Sequence, residues 1–309
     1  MAKQIVIAGS YNASFFIKGK QIPNIGETMV GDIFFVSPGG KGSNQAIAAK
    51  YQNADVRFIC KLGNDSFASD AVKMYKDVGL YSDSITIDNS IHTGIAVIFI
   101  DKVGNNSIMV VPGANLRLSA DEIINEVLKT DKIYIAGFQL ENNVDEIVKA
   151  IGTLHQKGVR VLLDPAPAHP LPDEIYRAIT ILKPNEHEAE ILSGIKVIAP
   201  DDAFHAADLL HAKGAENVII TLGAGGAVIV NDTLREYVPA PKVNAIDTTG
   251  AGDIFSGSLI TALSKDMQLL DAVRYANAAA SLSVTKMGVF EATPTEKETL
   301  AFIRNGYRL

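Results

Sequence analysis

The sequence predicts an α/β fold: a three-layer sandwich with a mostly parallel central sheet and a small β-sheet lid. Three observations carry that expectation. After residue 131, short apolar runs alternate with stretches whose apolar residues recur every three to four positions, the rhythm of strands and covering helices. Two glycine turns, Gly39-Gly40-Lys41-Gly42 and Gly250-Ala251-Gly252, each open a helical stretch. Four strand-like runs, about 13–19, 29–37, 93–101 and 106–111, break the rhythm because no helix separates the members of each pair. They are expected to form a sheet of their own that stands over the site as a lid; the competing arrangement makes them extra edge strands of the main sheet. The whole chain, 1–309, reads as one domain carrying that lid.

Residues 4–9 open the chain as a core strand. The first two lid strands follow, and then the helix opened at Gly39, with Ala46, Ile47 and Ala49 available for packing. A strand at Val56 to Lys61 precedes a helix over 69–78 that stops at Gly79. The second lid pair turns through Val103-Gly104-Asn105-Asn106, where Asn and Gly favour a tight hairpin. Ser119-Ala120-Asp121-Glu122 is a capping box, and Ile123, Ile124, Val127 and Leu128 form the apolar face of the helix it starts. Strands then fall at 133–138, 159–163, 179–182, 217–222 and 226–230, and helices at 143–156, 187–193, 201–213, 252–264, 269–286 and 295–304.

Composition narrows the function. A 47% hydrophobic, 20% charged chain has a substantial core, and a net charge of −7 argues against nucleic acid or an anionic membrane as the main partner. Cys60 is the only cysteine, so no intrachain disulfide and no cysteine-based metal cluster can form. The six histidines show no metal-ligand spacing; His205 and His211 are six apart and do not share a helical face. Met1 to Gln4 leads into an apolar run, Ile5 to Ala8, too brief for a signal-peptide core, and Ile95 to Ile100 is too short to cross a bilayer. A soluble cytoplasmic protein is expected.

The chemistry concentrates at Asp247-Thr248-Thr249-Gly250-Ala251-Gly252-Asp253. A glycine turn that opens a helix aims several backbone N–H groups at one spot, where the helix dipole adds positive potential and suits a phosphate. Asp253 then stands where a carboxylate would receive a proton from an attacking hydroxyl. A glycine turn with two capping aspartates reads the same way. The turn at Gly39 lets a ligand approach the backbone, and Lys41 and Asn44 offer donors; it is not a Walker P-loop. Asn12, Ser14 and Glu141 follow core strands or begin the lid and could read sugar hydroxyls; Asn12 could equally be a turn residue and Glu141 a carboxylate at a helix start. Asn185 and Glu188 could hold hydrated magnesium, or simply cap a helix. Thr221-Leu222-Gly223-Ala224-Gly225-Gly226 could let a nucleotide lie on the backbone, or be a plain hairpin turn.

Gly39-Gly40-Lys41-Gly42-Ser43-Asn44-Gln45-Ala46 and Asp247 to Asp253, in this order and with α/β segments between, resemble the ribokinase (PfkB) family of sugar kinases, and the likeness runs from Gly9 to Gly288. The resemblance implies an ATP-dependent sugar kinase with Asp253 as catalytic base and Gly250, Ala251 and Gly252 as the anion hole. It places Asn12, Gly40, Lys41, Asn44 and Glu141 in the sugar pocket and Asn185 and Glu188 near Mg2+ and phosphate. It puts Thr221, Gly223, Gly225, Gly226, Gly252 and Asn277 around the nucleotide. A monovalent-cation site, for K+, would take Asp247, Thr249 and main-chain oxygens of Ser283, Lys286 and Gly288. Lids of two subunits would pair in a homodimer. Two positions depart from the family pattern: Ser14 stands where ribokinases carry a sugar-gripping aspartate, and Ala292 where they carry a serine beside the cation site, with Thr293 as a substitute next door. A ribose-like pentose is the substrate expected first; loss of a charge-assisted hydrogen bond, worth about 1.5–3 kcal/mol, weakens that choice and leaves deoxyribose, fructose or a nucleoside such as adenosine as the alternatives. A non-catalytic sugar or nucleotide sensor would need a broken Asp253 segment, which is intact, and a dinucleotide oxidoreductase would need a glycine fingerprint after the first strand, which is missing.

Overall fold

The computed structural model describes residues 3–80, 83–130 and 132–305. Met1 and Ala2, where the leader argument began, lie outside the described residues. The strands are β1 (Gln4–Ala8), β2 (Asn12–Lys18), β3 (Ile33–Gly39), β4 (Asp55–Gly63), β5 (Ile85–Asp88), β6 (Ile95–Ile100), β7 (Asn106–Val111), β8 (Ile133–Phe138), β9 (Val161–Leu163), β10 (Ile181–Leu182), β11 (Asn217–Thr221), β12 (Ala227–Val230) and β13 (Arg235–Val238). The helices are α1 (Lys41–Tyr51), α2 (Ser66–Asp77), α3 (Ala120–Val127), α4 (Val144–Gln156), α5 (Glu186–Ser193), α6 (Pro200–Ala212), α7 (Ala251–Ser264), α8 (Leu269–Ser283) and α9 (Glu296–Arg304).

The main sheet has the order β13-β12-β11-β10-β9-β8-β1-β4-β5, parallel from β5 to β11 and antiparallel only through β12 and β13. Successive strand residues face opposite sides, and both sides are covered. In β1, Ile5 and Ile7 join the core shared with α1, α7 and α8, while Val6 and Ala8 join the core shared with α3, α4 and α6; all four are fully buried.

The four strands expected to break the rhythm form a separate sheet, β3-β2-β6-β7, rather than an extension of the main edge. Its pairing explains one shifted boundary. The expected strand at 29–37 becomes Ile33–Gly39 because β2 supplies partners only from Lys18, opposite Ile33, to Asn12, opposite Gly39. Phe16, Ala96 and Ile98 are buried in this sheet, whereas Phe34, Val36, Met109 and Val111 on its two outer strands are exposed.

Local chemistry sets most helix starts. Ser119 and Glu122 form the expected capping box on α3, and Asp65, which accepts the Ala68 amide at 3.0 Å, starts α2 at Ser66 rather than 69. The helix expected over 269–286 stops at Ser283. There the amides of Thr285 and Lys286 turn back to the carbonyls of Leu282 and Ser283. β5 and β13 were not expected from the sequence. Each is four residues long and lies at an edge of the sheet, so neither shows the double-sided burial that marks the central strands. No helix among the described residues is long and apolar enough to cross a membrane.

Candidate active site

In an open parallel sheet the carboxyl ends of the strands gather side chains where the strand order reverses. Here the reversal lies at β1, between β8 and β4. The chain leaving β1 supplies Ser10 and Asn12, β8 supplies Glu141, β9 supplies Asp164, β10 supplies Lys183 and then Asn185, and β11 ends at Thr221.

The α7 N-terminus completes this edge. Gly250 caps the helix at φ 74°, and a Cβ there would lie 2.5 Å from the Val289 Cγ1, so the turn needs glycine twice over. Of the first-turn amides, only Ala251 reaches an acceptor, the Thr248 carbonyl at 3.3 Å; those of Gly252 and Asp253 have none among the described residues. Asp253 is buried beside them. Its Oδ2 accepts from Asn44 Nδ2 at 2.8 Å and its Oδ1 from Gln45 Nε2 at 3.3 Å. Burial raises its pKa above the usual carboxylate range, with Asp164 and Glu141 adding to the effect and the Lys41 ammonium and the Asn44 bond opposing it.

The α1 N-terminus lies on the other side of Asp253. Gly40 sits at φ 90°, and a Cβ there would meet the Tyr11 Cα at 2.7 Å. This helix end is already closed. Glu141 accepts the Lys41 amide at 2.9 Å and the Ser10 hydroxyl, while the amides of Gly42 and Ser43 reach Ser10 Oγ and Ser10 O at 3.4 and 2.9 Å. Burial opposes the Lys41 charge, but Asp253, Glu141, Asp164 and Glu188 outweigh it and hold the ammonium above the ordinary lysine range. Asn12 is buried with its side-chain oxygen accepting from Asn115 at 3.0 Å. Ser14 is buried on β2 opposite Ser37, its hydroxyl against Gly39, where a Cβ would come within 2.2 Å. Asn12, Gly40, Lys41, Asn44, Glu141 and Asp253 thus come together, with Ser14 two residues beyond Asn12 on the small sheet.

A cavity of about 580 Å³ opens between the α7 N-terminus, α8 and the loops that follow β10, β11 and β13. Asn185, Thr221, Gly223, Gly226, Gly252 and Asn277 line it, together with Thr248, Lys242 and Phe255. Gly225 does not line it; Gly225 turns its carbonyl to the Tyr237 hydroxyl at 2.6 Å because the loop there coils as a short 3-10 turn. Asn277 donates to the Val238 carbonyl at 3.1 Å, tying α8 to the cavity rim. Asn185 and Glu188 form a full capping box on α5, the plainer of the two sequence readings, and Glu188 does not line the cavity itself. Burial and then Asp164 raise the Glu188 pKa, against the pull of Lys183 and Lys41.

The third group also gathers. Asp247 Oδ1 accepts the Thr249 amide at 2.9 Å and Oδ2 the Gly288 amide at 3.0 Å, so one carboxylate ties the loop before α7 to the turn after α8. The Ser283 carbonyl accepts the Lys286 amide at 3.1 Å. No cluster of three or more His, Cys, Asp or Glu side chains that could hold a metal ion is found among the described residues. Ala292 is buried, and Thr293 donates its hydroxyl to the Val289 carbonyl at 2.7 Å.

Residues 2–296 match the pfkB family carbohydrate kinase profile. The chain belongs to the pfkB family of carbohydrate kinases. It is 37% identical to the ribokinase of Haemophilus influenzae over 305 residues, covering 99% of this chain and 100% of that one. It is 34% identical to the deoxyribokinase of Salmonella typhi over 292 residues, covering 94% and 95%. Among solved structures, the ribokinase of Thermotoga maritima superposes with a TM-score of 0.89 at 33% identity, covering 98% of this chain and 100% of that one. An Arabidopsis thaliana ribokinase complexed with ribose and ATP gives 0.89 at 28% identity, covering 98% and 99%. As a pfkB kinase the protein is a phosphotransferase with an alcohol group as acceptor, ATP-dependent and acting on a sugar or nucleoside.

The pfkB site holds four residues that the sequence reading passed over. Gln45 bridges Asp253 and Asp164, donating to the latter at 3.0 Å. Asp164 also pairs with Lys183 at 2.7 Å and accepts from Ser256 at 3.0 Å. A usable signal existed: Asp164 and Lys183 are charged residues immediately after fully apolar strands, each followed by proline.

Proposed function

We propose that this kinase phosphorylates the primary hydroxyl of ribose or a ribose-like pentose, with Asp253 as the base. One observation carries the reading: a buried carboxylate, oriented by Asn44 and Gln45, stands beside unpartnered amides at the N-terminus of α7. Asp253 takes the hydroxyl proton as the new O–P bond forms, and its raised pKa brings its basicity nearer that task. The turn Gly250-Ala251-Gly252 stabilises the charge that spreads over the phosphoryl oxygens. Asn12, Ser14, Gly40, Lys41, Asn44 and Glu141 hold the sugar. Thr221, Gly223, Gly226 and Asn277 hold the nucleotide.

Asn185 and Glu188 would hold magnesium through water. Asp164, Glu141, Glu188 and Asp253 outnumber Lys41 and Lys183, a balance that fits an added cation arriving with polyphosphate. When bound, Mg2+ neutralises phosphate charge. Asp247, Thr249 and the carbonyls of Ser283, Lys286 and Gly288 would hold K+, which supports the adjoining turn. The chain acts as a single domain in the cytoplasm, with the small sheet as a lid that excludes water. The exposed apolar residues Phe34, Val36, Met109 and Val111 favour lid-to-lid pairing in a homodimer.

Ser14 favours one alternative, deoxyribose, since a hydroxyl replaces the charged acceptor of ribokinases. ADP release with Mg2+ and K+ across ribose, deoxyribose, fructose and adenosine tests both readings. A dominant ribose response supports the first and a dominant deoxyribose response the second. Loss of response to all four, with ATP still bound, rejects the kinase role. Ser14→Asp is expected to raise kcat/KM for ribose relative to deoxyribose by about 10-fold; an unchanged ratio removes Ser14 from the specificity argument.

A further inference from the structure

We propose that Lys183 is a further catalytic residue, whose ammonium donates to a non-bridging oxygen of the phosphoryl group in transfer, and that Asp164 positions it. The inference rests on the phosphoryl-transfer reading above. β9 and β10 run parallel with Leu163 opposite Leu182, so Asp164 and Lys183 leave the sheet side by side at its carboxyl edge. The Lys183 side chain is only 3% exposed. Its Nζ lies 2.7 Å from Asp164 Oδ2 and 3.4 Å from the Gly252 carbonyl, and 3.5 Å from where a Cβ on Gly252 would stand. The charge is therefore set against the first turn of α7, where Gly252 and Asp253 keep unpartnered amides.

A purely structural ion pair would be expected to satisfy its own groups, because a buried pair is favoured only when its remaining donors and acceptors are met. This one does not. An ammonium has three N–H donors; one is well matched by Asp164 and a second reaches Gly252 only at long range. Asp164 crowds three donors, from Lys183, Gln45 and Ser256, onto Oδ2 and leaves Oδ1 buried with no partner. Held from one side, the carboxylate fixes where the ammonium points. The electrostatics agree: of the two cations acting on Glu188, Lys183 acts more strongly than Lys41, and Asn185, two residues after Lys183, lines the cavity. A cation on the phosphate side meets the charge that arrives with the nucleotide. In the step, the sugar proton passes to Asp253, the new O–P bond forms, and the bridging oxygen leaves with ADP and its electron pair; Lys183 keeps its proton throughout.

The test compares Lys183→Met, Lys183→Arg and Asp164→Asn/Lys183→Met, using whichever of ribose, deoxyribose, fructose or adenosine the wild type phosphorylates best with MgATP. Lys183→Met is expected to lower kcat by about 100-fold or more, with the sugar Kd by calorimetry within about threefold of wild type. Lys183→Arg should recover part of the loss. The double variant removes both buried charges, so it folds even where the single one leaves Asp164 unpaired, and its kcat should stay as low. Recovery of wild-type kcat in the double variant, or its retention in Lys183→Met, would show that Lys183 only neutralises Asp164 and would overturn the proposal. A wild type inert toward all four acceptors is a separate result, visible before any variant is made; it rejects the phosphoryl-transfer reading and this inference with it.

Discussion

The N-termini of α1 and α7 begin alike and end differently. Both open at glycines with positive φ, 90° at Gly40 and 74° at Gly250, and neither has a side-chain cap. At α1 the first three amides all have acceptors, from Glu141 and Ser10, and a carboxylate already sits on the positive end of the helix. At α7 two of the three amides have none, and the turn borders the 580 Å³ cavity. The same local signal therefore leaves one helix end closed and the other open. A helix end neutralised by its own carboxylate suits an uncharged ligand rich in hydroxyls, whereas an open one suits an anion. Asp253 stands between them, tied to α1 by Asn44 and Gln45 and carried by α7.

The strongest way to break this arrangement is at its junction. Asp253→Asn should lower kcat by about 10³-fold or more while the sugar Kd, read by calorimetry, moves little. Stability should respond in the other direction. The folded pKa of Asp253 is raised by burial, so its contribution is complete below the unfolded carboxylate pKa and is lost as pH rises through the folded value. At neutral pH the neutral amide removes that loss, and thermal melting of Asp253→Asn should match or exceed wild type; a marked fall in Tm would mean that Asp253 is chiefly structural.

A middle-sized effect should come from opening α1. Glu141→Gln removes the charge that closes the helix, with an expected KM increase for the sugar of about 10-fold and a stability loss of about 1 kcal/mol by denaturant titration. An unchanged KM would separate Glu141 from the sugar and leave it a cap alone. The smallest effect is one of pH. Lys41 holds the Asp253 pKa down, so Lys41→Met should move the acid limb of kcat/KM to higher pH. A limb that stays in place would mean another group titrates there.

Ser119 with Glu122, and Asn185 with Glu188, are capping boxes whose partners lie three residues apart, so the sequence could announce both. It could not choose between capping and magnesium at Asn185, because both uses need the same two side chains in the same place. Gly225 depends on a partner far along the chain. Thr221, Gly223 and Gly226 of its loop line the cavity, but Gly225 itself does not, and its carbonyl accepts from the Tyr237 hydroxyl, twelve residues away on a strand the sequence hid. β13 was hidden because an edge strand with one polar face lacks the continuous apolar run of a central one.

What the sequence by itself determined is what acts over a few residues: apolar periodicity, the caps, and the glycine turns at 39–42 and 250–252 that open helices. Those were enough for an α/β sandwich with a small second sheet and for two glycine turns at helix starts. The tertiary structure alone decided which turn was closed and which open, because Glu141 reaches Lys41 across 100 positions and Asn44 reaches Asp253 across 209. It alone set Lys183 against Gly252, 69 positions on. Contacts of that separation leave no local pattern; they exist because the strand order brings the carboxyl ends of β1, β8, β9 and β10 to one edge, where the charge on each side chain is set by the neighbours it meets there.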